Sequence, residues 1–214
     1  MENLTFTPFT RKDIPALIEV LSKVWPLDAY TDEARVRKRF SILDAYYCAM
    51  FADDSEAVYD GDRLVGVLLG RTRRVGNPFK YLFYGLLTQY HVVMLLLRRH
   101  SRQIFYEILK IDKAYRAMKK EASLKAMSEV VLFAVDPDYQ GHGIGRALMD
   151  RFFARLKSAR VYLFSDTDCN YGFYEAYGFT RESEKALDVN TSDGTKEVRA
   201  FLYVHTPDKT AKTR

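Results

Sequence analysis

The chain has 214 residues, 48% of them hydrophobic and 29% charged, a balance that can bury a core and excludes a disordered or fibrous chain. A formal net charge of +5 favours anionic partners, but the basic residues are spread along the sequence, so no nucleic-acid partner is expected. Two cysteines, Cys48 and Cys169, are too few for a disulfide framework and lack metal-ligand spacing, which sets a reducing, cytoplasmic compartment and no metal as the default.

The opening MENLTFTPFTRKD has no apolar signal core, and LTFTPFT within it alternates like a strand. RKDIPALIEVLSKVW then predicts a helix, with Asp13 as cap and Pro15 in the first turn. A short second helix is expected over 32–43, and EAVYDGDRLVGVLLGR is a hairpin signal. From Phe79 the period becomes helical: Phe79, Leu82, Phe83, Leu86, Tyr90, Val93 and Leu97 share a face, joined by Leu87 and Met94. Lys80, Gln89 and His91 interrupt this apolar stretch, so no transmembrane segment is expected. A further helix carries Ile104, Ile108, Ile111, Tyr115 and Met118 at helical spacing. SEVVLFAV reads as a buried strand, GRALMDRFFARLKSA as a helix, RVYLFS as a strand and YGFYEAYGF as a short helix ended by Gly178. The tail reads as a hairpin turning at NTSDGT. Only the strand–helix–strand unit at 129–165 requires a parallel pair.

Between that strand and its helix lies DYQGHGIGRAL, with Gly141, Gly143 and Gly145 at alternate positions. A helix leaves its first N–H groups unpaired and carries partial positive charge at that end, and glycines let an anion approach the backbone. The order strand, glycine loop, helix therefore describes a phosphate cradle, a plain tight turn being the alternative. A Walker loop fails because Arg146-Ala147 follows the last glycine, and a dinucleotide fingerprint fails on spacing.

AVDPDYQGHGIGRAL resembles the acetyl-CoA-binding motif of the GNAT (Gcn5-related N-acetyltransferase) superfamily, and DCNYGFYEAYGF is similar to the family's next conserved segment. The resemblance covers 129–180 well and the two ends loosely. It implies an α/β fold of the α+β type, a mixed and mostly antiparallel sheet with a central splayed parallel strand pair, in one domain over 1–214 with a helical insertion at about 74–128. It implies acetyl-CoA as donor cosubstrate and direct transfer to a primary amine. The diphosphate would lie on backbone N–H groups of Gln140, Gly141, His142, Gly143, Ile144, Gly145 and Arg146. The pantetheine arm would pair with Phe133, Ala134 and Val135.

Tyr174 matches the family's tyrosine beside the thioester sulfur, where a phenol of pKa about 10 can protonate the departing thiolate. Asn170, four residues earlier, either caps that helix or contacts the cofactor. The resemblance also implies a role for Glu129, since some family members carry a glutamate there that acts as general base through water; strand alternation puts Glu129 on one face with Val131, Phe133 and Val135, an apolar setting that would raise its pKa, and a solvated strand-end glutamate is the alternative. His142 is expected to be an exposed loop residue and Cys169 a packing residue.

The insertion is read as a helical cap with its apolar stripe on the domain, or as a lid with Tyr84, Tyr90 and His91 on the acceptor pocket's wall. A homodimer interface or membrane-surface contact is a third reading. The acceptor is a small-molecule or protein amine. Rivals to the N-acetyltransferase are a non-catalytic acyl-CoA-binding regulatory module, nucleic-acid binding by the basic surface, and an enzyme using a longer acyl donor.

Overall fold

A computed structural model describes residues 4–72, 77–124, 127–156 and 160–206. Among these residues seven strands form one sheet: β1 (Leu4–Pro8), β2 (Asp54–Asp60), β3 (Arg63–Arg71), β4 (Ser128–Val135), β5 (Val161–Asp166), β6 (Thr180–Thr191) and β7 (Gly194–His205). Their order is β1-β2-β3-β4-β5-β7-β6, and every pairing is antiparallel except β4 with β5. The parallel pair needs a crossover, which helix α5 (Ile144–Arg155) supplies. The mixed, mostly antiparallel sheet is therefore as the sequence implied.

Helix α1 (Ile14–Val24) and helix α2 (Ala34–Phe51) cover one face, burying Leu17, Leu21, Ala45 and Cys48 on Val67, Leu69, Leu132 and Ala134. Helix α5 covers the other, where Leu148, Met149 and Phe152 meet Val65, Leu68 and Leu163. Two arginines of α5 clasp strand β2. Arg151 Nε lies 2.6 Å and Arg155 Nη1 2.7 Å from the carboxylate of buried Glu56. Helix α2 runs well past the predicted end at 43, because no glycine or proline stops it and Ala45, Cys48 and Ala49 extend its buried face.

Helices α3 (Pro78–Leu96) and α4 (Arg99–Glu121) lie between β3 and β4 in sequence. Met118 of α4 packs on Tyr162, Ala200 and Leu202 of β5 and β7. The orientation of α3 departs from the sequence expectation. Its regular apolar stripe faces solvent, with Leu86 64% and Leu97 69% exposed. The face it buries instead carries Tyr84, Thr88 and Leu95. Short helix α6 (Gly172–Tyr177) ends at Gly178, whose φ of 106° is the left-handed conformation that favours glycine.

Candidate active site

Strands β4 and β5 pair only over Ser128–Val130 and Val161–Leu163. Beyond Val130 they separate, so the β5-facing edge of β4 from Val131 to Val135 has no strand partner. An extended arm can hydrogen-bond there as an added strand. Phe133, Ala134 and Val135, the residues expected to carry that arm, lie on this open edge. The side chain of Ala134 is buried under α1 and α2, so it can contribute only backbone.

The open edge leads into the glycine loop. Gly141 and Gly143 hold φ of 78° and 79°, and a Cβ built on either meets nothing within 4 Å. Gly143 is the N-cap of α5 and supplies no side-chain cap, which leaves the first N–H groups of α5 facing open space. Gly145 serves another purpose: its Cβ would sit 3.1 Å from the Phe133 ring and 3.3 Å from Phe173. Ile144 turns its side chain into the core and can offer a ligand only its N–H. His142 is exposed, and Arg146 lays its guanidinium 5.4 Å over the Tyr177 ring. One expected ligand is engaged elsewhere. The Gln140 N–H donates to Pro137 O at 3.3 Å, closing the turn before the loop. A cradle of open space, left-handed glycines and uncapped N–H groups suits a diphosphate.

Tyr174 lies at the mouth of the separated strands. Its ring is 6.1 Å from Phe133 and 5.8 Å from Tyr203. Its hydroxyl makes no hydrogen bond among the described residues. Burial pushes the phenol well above its ordinary pKa, and the charges of Cys169 and Asp166 add to the rise. It therefore holds its proton at neutral pH. Burial likewise pushes up the Cys169 thiol, which leaves a poor nucleophile. Asn170 is exposed and makes no side-chain cap to α6, so its amide is available to a ligand.

Glu129 sits differently from expectation. Leu132 pairs with Leu69 and Val130 with Gly70, so Val131 is an extra residue, a β-bulge. The bulge reverses the alternation. Val130, Phe133 and Val135 belong to the α5 face, whereas Glu129 points to the opposite face with Tyr162. Its surroundings there are charged rather than apolar. It accepts from Tyr162 Oη at 2.7 Å, from Lys119 Nζ at 3.2 Å and from Arg71 Nη2. These donors saturate it and fix it at the closed end of the cleft.

Sequence reasoning missed the neighbours that α4 delivers. Tyr115 stacks on Phe164 at 5.0 Å and donates to Asp166 Oδ2 at 2.6 Å. Asp166 ends β5, and its Oδ1 accepts from the Asp168 N–H at 2.9 Å. Burial raises its pKa, opposed by those hydrogen bonds. Tyr30, between α1 and α2, has its phenol raised to about 12, first by burial and then by Asp168 and Asp166. The available signal was the spacing of Tyr115 and Lys119, which puts both on one face of α4 toward β4 and β5. Tyr84 borders a cavity with Phe9, Arg11, Ser55 and Lys80 at the β1–β2 side of the sheet, and Tyr90 is exposed.

Residues 102–181, from α4 through α6, match a family described as Acetyltransferase (GNAT) domain. A 71-residue stretch is 38% identical to a mycothiol acetyltransferase from Geodermatophilus obscurus, covering 31% of this chain and 22% of that protein. The chain thus spans about a fifth of the length of the curated relative it matches. Among solved structures, PH1933 from Pyrococcus horikoshii OT3 superposes with a TM-score of 0.60 at 15% identity, over 96% of this chain and 99% of that one. The ribosomal-protein-S18-alanine N-acetyltransferase from Escherichia coli gives 0.52 at 13% identity, over 99% and 100%. At such identities these likenesses speak for the fold.

Proposed function

We propose that the chain, whose residues 102–181 match a GNAT acetyltransferase domain, transfers an acetyl group from acetyl-CoA directly to the primary amine of an acceptor. One observation carries the reading: the separated edge of β4 joins an uncapped helix N-terminus at one end to a buried phenol, without a hydrogen-bond partner among the described residues, beside it. Acetyl-CoA supplies the activated thioester. The N–H groups from Gly141 to Arg146 bind its diphosphate, and the edge at Phe133–Val135 aligns its arm. Asn170 contacts the bound arm from the start of α6. Tyr174 holds a proton at Oη for the departing thiolate.

Glu129 is saturated by Arg71, Lys119 and Tyr162, so we assign it to holding the closed end of the cleft rather than to proton removal. Asp166 is the carboxylate whose charge reaches Tyr174; Tyr115 and the Asp168 N–H hold both its oxygens, so we assign it to fixing the end of β5. The amine attacks in its neutral form, the C–S bond breaks as the C–N bond forms, and the amine's proton passes to water.

The test is release of free thiol from acetyl-CoA across amines from small metabolites to protein N-termini. Tyr174→Phe should lower kcat about tenfold to a hundredfold while KM for acetyl-CoA stays within about twofold. Unchanged kcat at every pH removes Tyr174 as the acid. Tight acetyl-CoA binding without thiol release from any amine replaces the enzyme with a binding module.

A further inference from the structure

The outward face of α3 has no use in the acetyl-transfer site. Phe79, Leu82, Leu86, Tyr90, Val93 and Leu97 recur at three- and four-residue intervals and are all exposed, Phe79 to 79%. A contiguous stripe of this kind is uncommon on a soluble surface and marks contact with something else. Charge shows what kind of surface it meets. From Arg63 to Tyr106 the sequence contains no Asp or Glu, although the chain holds 28 of them. Basic groups flank the stripe at both ends. Arg11 lies 4.3 Å over the Phe83 ring at the N-terminal half of α3. Arg98, Arg99 and Arg102 are exposed just beyond its C-terminus and make no ion pair among the described residues. Arginines elsewhere, such as Arg63, Arg151 and Arg155, are paired with carboxylates.

We infer that α3 is an interfacial helix that docks the protein on an anionic lipid surface. Its apolar ridge would enter the boundary between headgroups and acyl chains, with the arginines at headgroup phosphates and Tyr90 at the interface. No helix of the described residues is long and apolar enough to cross a membrane. A second copy is the less suitable occupant, because two such faces would bring together acid-free, arginine-flanked surfaces.

The experiment measures cosedimentation of the full chain with vesicles of phosphatidylcholine alone and with added phosphatidylglycerol, at low and high salt. Binding should require the anionic lipid and weaken with salt. The double variant Leu82→Glu/Leu86→Glu should lower partitioning at least about tenfold. Arg98→Glu/Arg99→Glu, which leaves the ridge intact, should abolish the preference for phosphatidylglycerol. Circular dichroism and acetyl-CoA binding check that each variant is folded, and neither readout depends on turnover. Failure of the wild type to bind either vesicle overturns the inference. A dimer in solution would then assign the face to a second copy, and a monomer to an acidic protein. Equal vesicle binding by wild type and the Leu82→Glu/Leu86→Glu protein also overturns it.

Discussion

Gly143 shows how much of the proposed donor site rests on single backbone positions. Its φ of 79° costs an L-residue about 1–2 kcal/mol, and it faces the space the diphosphate would fill. Gly143→Ala should therefore lower the thermal midpoint by a few degrees and weaken acetyl-CoA binding by tenfold or more. Calorimetric titration separates the two losses: a variant that melts early but binds normally would remove Gly143 from the cradle. Gly145 differs, since its neighbours are side chains of Phe133 and Phe173 rather than open space. One three-glycine motif thus serves two purposes, room for a ligand and close helix–strand packing. The sequence carried the motif, but the division of labour depends on the ring at 133, which linear spacing does not locate.

At the scale of elements, the glycine loop is useful only if α5 is held in register with β4. Glu56 supplies part of that hold, because it is buried and receives both Arg151 and Arg155. Glu56→Ala leaves two partly exposed guanidiniums without this partner, so the loss should be about 2 kcal/mol, less than for a fully buried pair. Urea unfolding checks it, and a midpoint equal to wild type would show that α5 is held by its apolar face alone. The strands around this unit were legible because alternation and the DGD turn are local signals. The face of Glu129 was not, because a bulge at Val131 depends on pairing with β3. Helix α3 failed for another reason. Periodicity finds an apolar stripe but carries no sign for inward or outward, and Tyr84, Thr88 and Leu95 took the inward place.

Over the whole molecule, two carboxylates, Asp136 and Asp44, contribute to the response to pH in opposite directions. Burial would raise Asp136, but Lys23, Arg63 and the Asp138 N–H bring it below its ordinary value. A depressed carboxyl stabilises above the unfolded value of about 3.9 and loses that contribution as pH falls through its folded value. Asp44 behaves in reverse. Burial raises it to about 6, against hydrogen bonds from Cys48 and Trp25. The folded state binds that proton more tightly, so its contribution is complete below about pH 4 and is lost as pH rises to about 6. Stability from these two groups therefore peaks near pH 4 and declines toward neutrality. Asp44→Asn keeps an acceptor for Trp25 Nε1, now 3.1 Å away, and removes the cost of charging. The variant should match wild type near pH 4 and exceed it by about 1–2 kcal/mol at pH 7.5, as read by thermal melts at the two pH values. Equal destabilisation at both would mean that the carboxyl itself, rather than its charge, is what α1 and α2 need between them.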